Sequence, residues 1–375
     1  MTLLQTLAPL SADAGDLRRV GLAGATQYFY NFSLTNLLKW QSAKANIMAG
    51  VSHEIVALVG DSTTKGAGAS AITAYSRYLA DLLELSGIPA TDDSIFGTTF
   101  GGADLATFDT RLTFNGGWTN FGGISVGGPF FTTPSAGTVT FTPRRQIDTA
   151  DIFDITASGA GSYNINFDGG ASLLSVNQNA ANAATKRSVS GSLGTHAINI
   201  VRAAGTNYFV GIAGYNSAKK SARLMNLGWS GSTAEQWDTN INAWDPKNYL
   251  KFIAPKLTIL CLGINNWRLN GAAGVAAYKT AMLNLIAAAK VSGDVIIVTP
   301  SPSDVSDASM DTQALYIQAM YELADAADVP LIDLWSRWVS YAVRQPLGWM
   351  DDVRHPTARG YADEAAMIAR ALFIA

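Results

Sequence analysis

Ser62 is the first residue in the chain whose type and surroundings could support chemistry. It follows the apolar run 55–59, which has the length of a buried strand and stops abruptly at Gly60. A segment with a helical pattern follows at 72–86. In an open parallel sheet, sites lie beyond the carboxyl ends of the strands, so a serine hydroxyl in this position is a candidate nucleophile. The alternative is a polar turn whose serine caps a helix, and only a base and an anion-stabilising group elsewhere can decide.

N–H groups that could stabilise an anion follow two later predicted strands. Gly231 lies within the polar stretch 226–233, and a glycine there can present its backbone N–H without obstruction by a side chain. Asn265 follows the apolar run 257–262, and its amide can donate to negative charge that develops in a transition state. Both stretches are predicted to lie at strand ends, as Ser62 does.

A base and an orienting carboxylate occur together near the end of the chain. Asp352 and His355 are three residues apart, just before a predicted helix at 358–373. In such a pair the carboxylate fixes the imidazole tautomer, and the imidazole takes the serine proton. Asp351 is a rival carboxylate, but its spacing to His355 is four, and we prefer Asp352.

Other candidate groups are set aside. The stretch 123–127 matches the G-x-S-x-G pattern of a nucleophile elbow, but a glycine-rich β-like segment follows where the elbow needs a helix. His53 and His196 are interpreted as surface or strand residues. None of the three histidines has metal-ligand spacing to a cysteine or another histidine, so we expect no metal site. Cys261 lies in an apolar run and is expected to be a buried, inert thiol.

The elements that must position these residues alternate between strand and helix. Predicted strands lie at 55–59, 223–227, 257–262, 295–298 and 330–333, and predicted helices at 72–86, 272–291, 309–327 and 358–373. This alternation predicts a parallel sheet with helices on both faces. Residues 1–50 are interpreted as a helical lead-in, and residues 51–94 together with 222–375 as one α/β domain.

The middle of the chain, 95–221, has a different pattern. It holds 19 of the 35 glycines, and short alternating apolar runs are separated by turn residues, with a hairpin signal at 168–170. We predict an all-β, jelly-roll-like sandwich inserted into the α/β domain, with carbohydrate binding as a candidate role. Four aromatic residues could form either a sugar-stacking surface or the sandwich core: Trp118, Phe121, Phe130 and Phe131.

Four of these stretches, in this order, resemble the sequence blocks of the GDSL, or SGNH, serine hydrolases. The matching positions are 60–62 for the nucleophile block, Gly231 for the oxyanion glycine, 263–265 for the Gly-x-Asn block and 352–355 for the Asp-x-x-His block. Each block is weak alone, but four in order at predicted strand ends are strong together. The resemblance implies a three-layer α/β/α, flavodoxin-like hydrolase domain, and it does not cover the insert.

The resemblance also implies roles for the candidate residues. Ser62 would attack an ester carbonyl, His355 would act as general base and then general acid, and Asp352 would orient His355. The N–H groups of Ser62 and Gly231, with the side-chain amide of Asn265, would hold the oxyanion. No metal and no organic cofactor are implied.

Two positions depart from the family pattern. Thr63 stands where the family has leucine, and Asn266 stands where aspartate commonly follows the oxyanion asparagine. Asn266 can still hydrogen-bond neighbouring backbone, so this departure bears on how Asn265 is held. Four residues are expected to border the substrate cleft: Asp61, Trp229, Asn266 and Trp267. For the two tryptophans, core packing is the alternative.

Composition limits the partners. With 26 basic and 29 acidic residues and a net charge of −3, the chain does not have the character of a nucleic-acid binder. No apolar run approaches the ~18 residues of a membrane helix, so no membrane partner is expected. Residues 1–22 lack the pattern of a signal peptide, although extracellular or virion-associated action is compatible with the sequence. The oligomeric state is left open.

The predicted function is hydrolysis of O-acyl esters. A β-sandwich beside an esterase site suggests an extended polymer, so we predict O-deacetylation of an acetylated polysaccharide, by fold-level analogy. Two alternatives stay open: a lipase or thioesterase acting on acyl chains, and an inactive carbohydrate-binding or tail-adhesin protein. No long apolar lid segment favours the first, and the intact set of Ser62, Asp352 and His355 argues against the second.

Overall fold

The computed structural model describes residues 28–33, 35–100, 103–119, 123–133 and 135–374. Residues 1–27, which include the stretch examined for a signal peptide, and Phe121 lie outside this part of the chain. The helices are α1 Leu38–Met48, α2 Ser62–Lys65, α3 Tyr75–Leu85, α4 Ala234–Trp237, α5 Pro246–Ile253, α6 Ile264–Asn270, α7 Val275–Lys290, α8 Met310–Ala327, α9 Leu334–Trp338, α10 Tyr341–Arg344 and α11 Ala358–Ile374.

A central sheet and two antiparallel sheets contain most of the strands. The central sheet is built from β1 Phe29–Tyr30, β2 Glu54–Gly60, β3 Ala90–Thr91, β18 Ala222–Asn226, β19 Leu257–Cys261, β20 Asp294–Val298 and β21 Leu331–Ile332. The strands between β3 and β18 are β4 Ser94–Phe96, β5 Thr99–Phe100, β6 Ala103–Asp104, β7 Leu112–Gly116, β8 Ile124–Ser125, β9 Gly128–Pro129, β10 Phe131–Thr133, β11 Gly137–Phe141, β12 Ile147–Thr156, β13 Ser162–Phe167, β14 Leu174–Asn177, β15 Ala183–Gly194, β16 Ile198–Ala204 and β17 Asn207–Tyr215.

The central sheet is mostly parallel. Its strand order is β1-β21-β20-β19-β2-β18-β3, and every neighbouring pair is parallel except β1 with β21. Side chains along β2 alternate between two buried clusters: Ala57 and Val59 pack with α4, α5, α7 and α8, whereas Val56 and Leu58 pack with α1, α3 and α11. A strand buried on both faces has a continuous apolar sequence, which is why it could be recognised. The predicted α/β class is confirmed.

The register of three neighbouring strands brings the predicted site stretches to one edge of the sheet. Gly60 at the end of β2 is paired with Cys261 at the end of β19, and Leu58 is paired with Asn226 at the end of β18. The turns that follow these parallel strands therefore lie side by side. Polar side chains on all three turns can meet there.

The segment Ala272–Lys290, which contains α7, is long and apolar enough to cross a membrane by length and composition. In this structure Tyr278, Met282 and Leu285 are fully buried in the cluster that covers one face of the central sheet. It is therefore a core helix of the α/β domain, because its apolar face is already covered by protein.

Between β3 and β18 the chain forms two antiparallel sheets. One has the order β10-β17-β12-β15, with β4 also paired to β17, and the other has the order β14-β13-β16-β11-β7. Residues from both sheets share one buried apolar cluster, which includes Ile152 and Phe209 from the first sheet and Tyr163 and Ile200 from the second. The two sheets therefore pack face to face.

Two strands of the first sheet, β12 and β17, are buried on both faces. Ile152 and Phe209 pack toward the second sheet, whereas Phe153 and Val210 pack in the same cluster as α5 and α7. The Tyr249 hydroxyl on α5 also donates a hydrogen bond to the backbone oxygen of Asp154 at 3.1 Å. The middle of the chain and the α/β domain therefore share one continuous core at this boundary.

Candidate active site

The turn after β2 exposes the Ser62 hydroxyl at the end of a buried strand. Asp61, not Ser62, caps the short helix α2, because Asp61 Oδ1 accepts hydrogen bonds from the backbone N–H and the hydroxyl of Thr63, both at 2.9 Å. Asp61 is 0% exposed. Its side chain therefore stabilises the turn through Thr63 and does not border the substrate cleft, contrary to expectation. The capping role considered for Ser62 thus belongs to its neighbour, which leaves the Ser62 hydroxyl free for another partner.

That partner is His355. The Ser62 Oγ lies 2.9 Å from His355 Nε2, and His355 Nδ1 lies 2.7 Å from Asp352 Oδ2. Asp352 Oδ1 also accepts the backbone N–H groups of Arg354 at 2.8 Å and His355 at 2.9 Å. The rival carboxylate of Asp351 makes no hydrogen bond with the imidazole among the described residues. The structure therefore joins hydroxyl, imidazole and one carboxylate in a single chain of hydrogen bonds.

The electrostatics of Asp352 suit a carboxylate that stays ionised. Partial burial alone would raise the pKa of its carboxyl, but hydrogen bonds from the His355 imidazole and from two backbone N–H groups outweigh burial and lower the pKa. An ionised Asp352 accepts the Nδ1–H proton of His355, so Nε2 carries the lone pair that faces Ser62.

The loop that carries His355 is fastened to a distant segment. The Arg354 guanidinium donates from Nε and Nη2 to both carboxylate oxygens of Asp307, at 3.0 and 2.7 Å. The backbone N–H of Asp304 donates to the Val353 oxygen at 2.7 Å. On the other side the loop touches Gly68, where an added Cβ would lie 2.4 Å from the Pro356 oxygen and φ is +84°. Sequence reasoning missed the Arg354–Asp307 pair, since no local pattern links positions so far apart.

The expected oxyanion groups are connected to each other. The backbone N–H of Trp229 donates to the Gly60 oxygen at 2.9 Å, which ties the glycine stretch to the end of β2. Gly231 is exposed and adopts a φ of +81°, a conformation that favours glycine. Asn265 Nδ2 donates to the oxygen of Ser232 at 3.0 Å, so the asparagine is fixed to the residue next to Gly231.

Asn266 and Trp267 are supports and not cleft residues. Asn266 is 0% exposed; its Oδ1 accepts the backbone N–H of Ala234 at 3.1 Å and its Nδ2 donates to Glu235 at 2.7 Å. Trp267 is 1% exposed, and its indole N–H donates to the Ser303 hydroxyl at 3.1 Å. Both expectations are corrected for the same reason, which is that these side chains point into the core from the first turn of α6.

Of the four expected cleft residues, Trp229 alone is partly exposed. Its ring packs on Gly128 from the middle of the chain, where an added Cβ would lie 2.6 Å from Trp229 Cδ1. The structure therefore places this tryptophan at a contact between the α/β domain and the β9 hairpin, beside the glycine stretch 228–231.

For the aromatic residues of the middle segment, the structure favours core packing over the alternative of a sugar-stacking surface. Trp118, Phe130 and Phe131 are 7%, 2% and 0% exposed, so they pack in the core, and Phe121 lies outside the described residues. A different aromatic pair is half-buried: Phe100 stacks on Phe108 with ring centroids 4.2 Å apart. Phe108 also approaches Gly66, the residue that ends α2, within 3.2 Å of an added Cβ.

Lys65 is a buried cation one helical turn after Ser62. Its Nζ donates to the backbone oxygen of Phe96 at 2.5 Å, which joins the turn that carries Ser62 to β4. Burial lowers the pKa of Lys65 to about 8. This lysine therefore links the turn after β2 to the first strand of the middle of the chain.

A parallel α/β sheet with a serine, a histidine–aspartate pair and a glycine–asparagine pair at its carboxyl edge defines the SGNH type of serine hydrolase. The family model of GDSL-like lipases and acylhydrolases matches residues 170–362, just over half of the 375 residues, and the chain belongs to this family. The matched range contains Gly231, Asn265, Asp352 and His355, and it begins after Ser62.

Solved structures resemble the chain to different extents. A structure described as a peptidoglycan O-acetylesterase superposes with a TM-score of 0.70 at 17% identity, covering 92% of this chain and 98% of the other. An acetylxylan esterase mutant from Geobacillus stearothermophilus covers 40% and 73% at 18% identity, with a TM-score of 0.33. A family two carbohydrate esterase from Clostridium thermocellum, in complex with cellohexaose, covers 69% and 97% at 14% identity, also with a TM-score of 0.33. The first structure shares most of the fold of this chain, whereas the superpositions of the other two are poor. No curated protein sequence matches the chain.

Proposed function

We propose that this protein is a serine esterase that removes O-acetyl groups from a polysaccharide through an acyl-enzyme intermediate. The observation that carries the proposal is the chain of hydrogen bonds from Ser62 Oγ to His355 Nε2 at 2.9 Å and from His355 Nδ1 to Asp352 at 2.7 Å. Within the described part of the chain, the imidazole is the side-chain hydrogen-bond partner of the Ser62 hydroxyl, and a hydroxyl bonded to an oriented imidazole is an activated nucleophile.

The proposed reaction has two steps, acylation and deacylation of Ser62. His355 Nε2 takes the Ser62 hydroxyl proton while Oγ forms a bond to the acyl carbon. When the tetrahedral intermediate collapses, the bond to the sugar oxygen breaks and His355 returns the proton to that oxygen. A water molecule then gives a proton to His355 while its oxygen bonds to the acyl carbon. When this second tetrahedral intermediate collapses, the bond from Oγ to the acyl carbon breaks, His355 returns the proton to Oγ, and acetic acid leaves.

The negative charge on the acyl oxygen is held by three N–H groups in this proposal: the backbone of Ser62, the backbone of Gly231 and the side chain of Asn265. The hydrogen bond from Asn265 to the Ser232 oxygen at 3.0 Å supports this, because it holds the asparagine beside the glycine. Preorganised donors of this kind contribute most where water is excluded, and removal of one typically costs about 10²–10³ in rate.

The acetyl group and the polymer are inferred from the fold and the borders of the site. The likeness to the peptidoglycan O-acetylesterase covers 92% of this chain, so it includes most of residues 95–221, which we interpret as an inserted β-sandwich between the two parts of the hydrolase domain, 51–94 and 222–375. The half-buried pair of Phe100 and Phe108 lies in this insert and packs against the nucleophile turn. Aromatic rings so placed suit the apolar face of a sugar ring.

Turnover of p-nitrophenyl acetate, butyrate and octanoate, together with acetate release from a set of acetylated polysaccharides, tests the proposal. We expect acetate esters to be preferred and Ser62→Ala to lose at least about 10³-fold in rate. The matched control is Ser125→Ala, since Ser125 is the serine of the rejected G-x-S-x-G pattern and is 0% exposed in a hairpin. Best turnover of octanoate would favour a lipase, and no turnover of any ester would favour an inactive binding protein.

The role of the insert needs a point variant, because residues 95–221 share a core with the α/β domain and deletion would expose it. Phe108→Ala is expected to lower acetate release from polymer several-fold while turnover of p-nitrophenyl acetate changes little, since the small ester needs no sugar contact. Equal changes in both rates would contradict a role of this ring in polymer binding.

A further inference from the structure

An arginine contacts the asparagine that the proposed function assigns to the oxyanion. Asn265 and Arg268 lie three residues apart on α6, a spacing that places both side chains on one side of a helix. Arg268 Nη2 donates a hydrogen bond to Asn265 Oδ1 at 3.1 Å. The contact is directed at the amide oxygen, the end of the side chain opposite to the N–H donors.

The guanidinium of Arg268 is only partly satisfied by hydrogen bonds. Among the described residues it forms no salt bridge, and its Nε is buried without a hydrogen-bond partner. A buried donor left unpaired costs free energy. The contact with Asn265 is therefore the one side-chain hydrogen bond that holds this guanidinium among the described residues.

The positive charge of Arg268 also acts on the turn that carries Ser62. Burial raises the pKa of the Asp61 carboxyl; hydrogen bonds from Thr63 oppose that rise most, and the charge of Arg268 opposes it less. Asp61 is adjacent to Ser62 and caps the same helix. The direct link from Arg268 to the proposed oxyanion site is its hydrogen bond to Asn265 Oδ1 at 3.1 Å, and its charge also has a weak electrostatic effect on Asp61.

The two ends of the Asn265 amide are fixed by different partners. Nδ2 donates one N–H to the Ser232 oxygen at 3.0 Å, and Oδ1 accepts from Arg268 at 3.1 Å. A flipped amide would place oxygen against the Ser232 oxygen and N–H against the guanidinium, so both contacts select the same orientation. The second N–H of Nδ2 has no partner among the described residues and is available to a substrate oxygen.

We propose that Arg268 is a positioning residue for the oxyanion site, which locks the Asn265 amide with its free N–H toward the acyl oxygen and polarises that N–H through the hydrogen bond to Oδ1. The inference rests on the proposed esterase function. A hydrogen bond to the oxygen of an amide strengthens its N–H as a donor, because linked hydrogen bonds polarise one another. The effect appears as charge develops on the acyl oxygen, so it acts on the transition state more than on bound substrate.

Arg268→Met, Arg268→Lys and the matched control Arg202→Met test this with p-nitrophenyl acetate. Arg202 is also half-buried, and it donates to the Gly205 oxygen at 2.7 Å in the insert. We expect Arg268→Met to lower kcat by about 10- to 100-fold with little change in KM, less than removal of the donor itself. Arg268→Lys keeps a cation and one donor, so its loss should be smaller, and Arg202→Met should match the wild-type protein.

A double-mutant cycle with Asn265→Ala separates positioning from general support of the fold. If Arg268 acts through Asn265, Arg268→Met adds little further loss in the Asn265→Ala background. An equal loss in both backgrounds, or a change in KM alone, overturns the inference. So does wild-type kcat in Arg268→Met when Ser62→Ala is inactive, and that result leaves the proposed function intact. A wild-type protein no more active than Ser62→Ala overturns both.

Discussion

Two histidine–aspartate pairs occur in the part of the chain that the structure describes, and the contacts between imidazole and carboxylate are nearly the same in both. His355 Nδ1 lies 2.7 Å from Asp352 Oδ2, and His196 Nδ1 lies 2.6 Å from Asp168 Oδ2. Each aspartate also accepts a backbone N–H with its other oxygen. The pairs differ at Nε2, which faces the Ser62 hydroxyl in one case and the backbone oxygen of Ser192 in the other, at 2.9 Å in both.

The group at Nε2 decides what each imidazole can do. A hydroxyl can donate, so His355 can be neutral and keep a lone pair for the serine proton. A carbonyl can only accept, so His196 satisfies both of its partners when it is doubly protonated. The hydrogen bond with Asp168, and then that with the Ser192 oxygen, raise the pKa of His196. An Asp–His contact alone therefore does not identify a catalytic base. The group that is hydrogen-bonded to Nε2 decides whether that nitrogen keeps a lone pair or carries a proton.

Replacement of each histidine by glutamine should produce the largest contrast. His355→Gln removes the group proposed to take the serine proton, and we expect kcat for p-nitrophenyl acetate to fall by at least about 10³-fold. His196→Gln removes the imidazole from the turn between β15 and β16, and the rate should stay within about twofold of wild type. Comparable losses of kcat in the two variants would contradict the assignment of different roles to His355 and His196.

The two pairs also differ in what holds them, and a variant of the His355 loop sharpens that difference. Arg354→Met breaks the bidentate contact with Asp307, and a small displacement of His355 should lower kcat by about 10- to 100-fold. The control is Arg337→Met, which breaks a similar bidentate pair with Asp363 between α9 and α11. If both variants lose stability but neither loses turnover at a temperature where they are folded, the ion pair of Arg354 with Asp307 does not position His355.

The smallest effect concerns pH and stability. Because the folded-state pKa of His196 is raised, its pair with Asp168 stabilises the protein fully below the unfolded pKa of about 6.5 and loses that contribution as pH rises through the folded value. His196→Gln should therefore unfold at a lower temperature than wild type near about pH 5.5, with the gap narrowing toward about pH 9. Thermal melts at the two pH values measure this, and a gap that is constant or widens with pH would contradict it.

Sequence patterns predicted the parts of the fold that repeat a simple periodicity. The buried strand β2 and the helix α8 were located to within a residue or two, because one is continuously apolar and the other has helical spacing. Strand β17 was not predicted, since it packs against two clusters and shows no alternation. Strand β15 was missed for the opposite reason, because it is an edge strand whose side chains are mostly exposed.

For the site, sequence reasoning predicted which turns would meet but not how they are supported. Ser62, Asn265 and the 352–355 loop were expected at one edge of the sheet because each follows a predicted strand end or precedes the last helix. The contact of Arg268 with Asn265 carried a local signal, a three-residue spacing on a helix, that was overlooked. The error at Trp267 arose because a position beside a site does not define which way its side chain points.

The most direct test of the account is the covalent intermediate on Ser62. Rapid mixing with p-nitrophenyl acetate, acid quench and peptide mass mapping would locate any acyl group. The account predicts one acetyl group on the peptide that contains Ser62 in the wild-type protein and none in Ser62→Ala. Acetylation of a different residue, or ester hydrolysis that continues unchanged in Ser62→Ala, would contradict it.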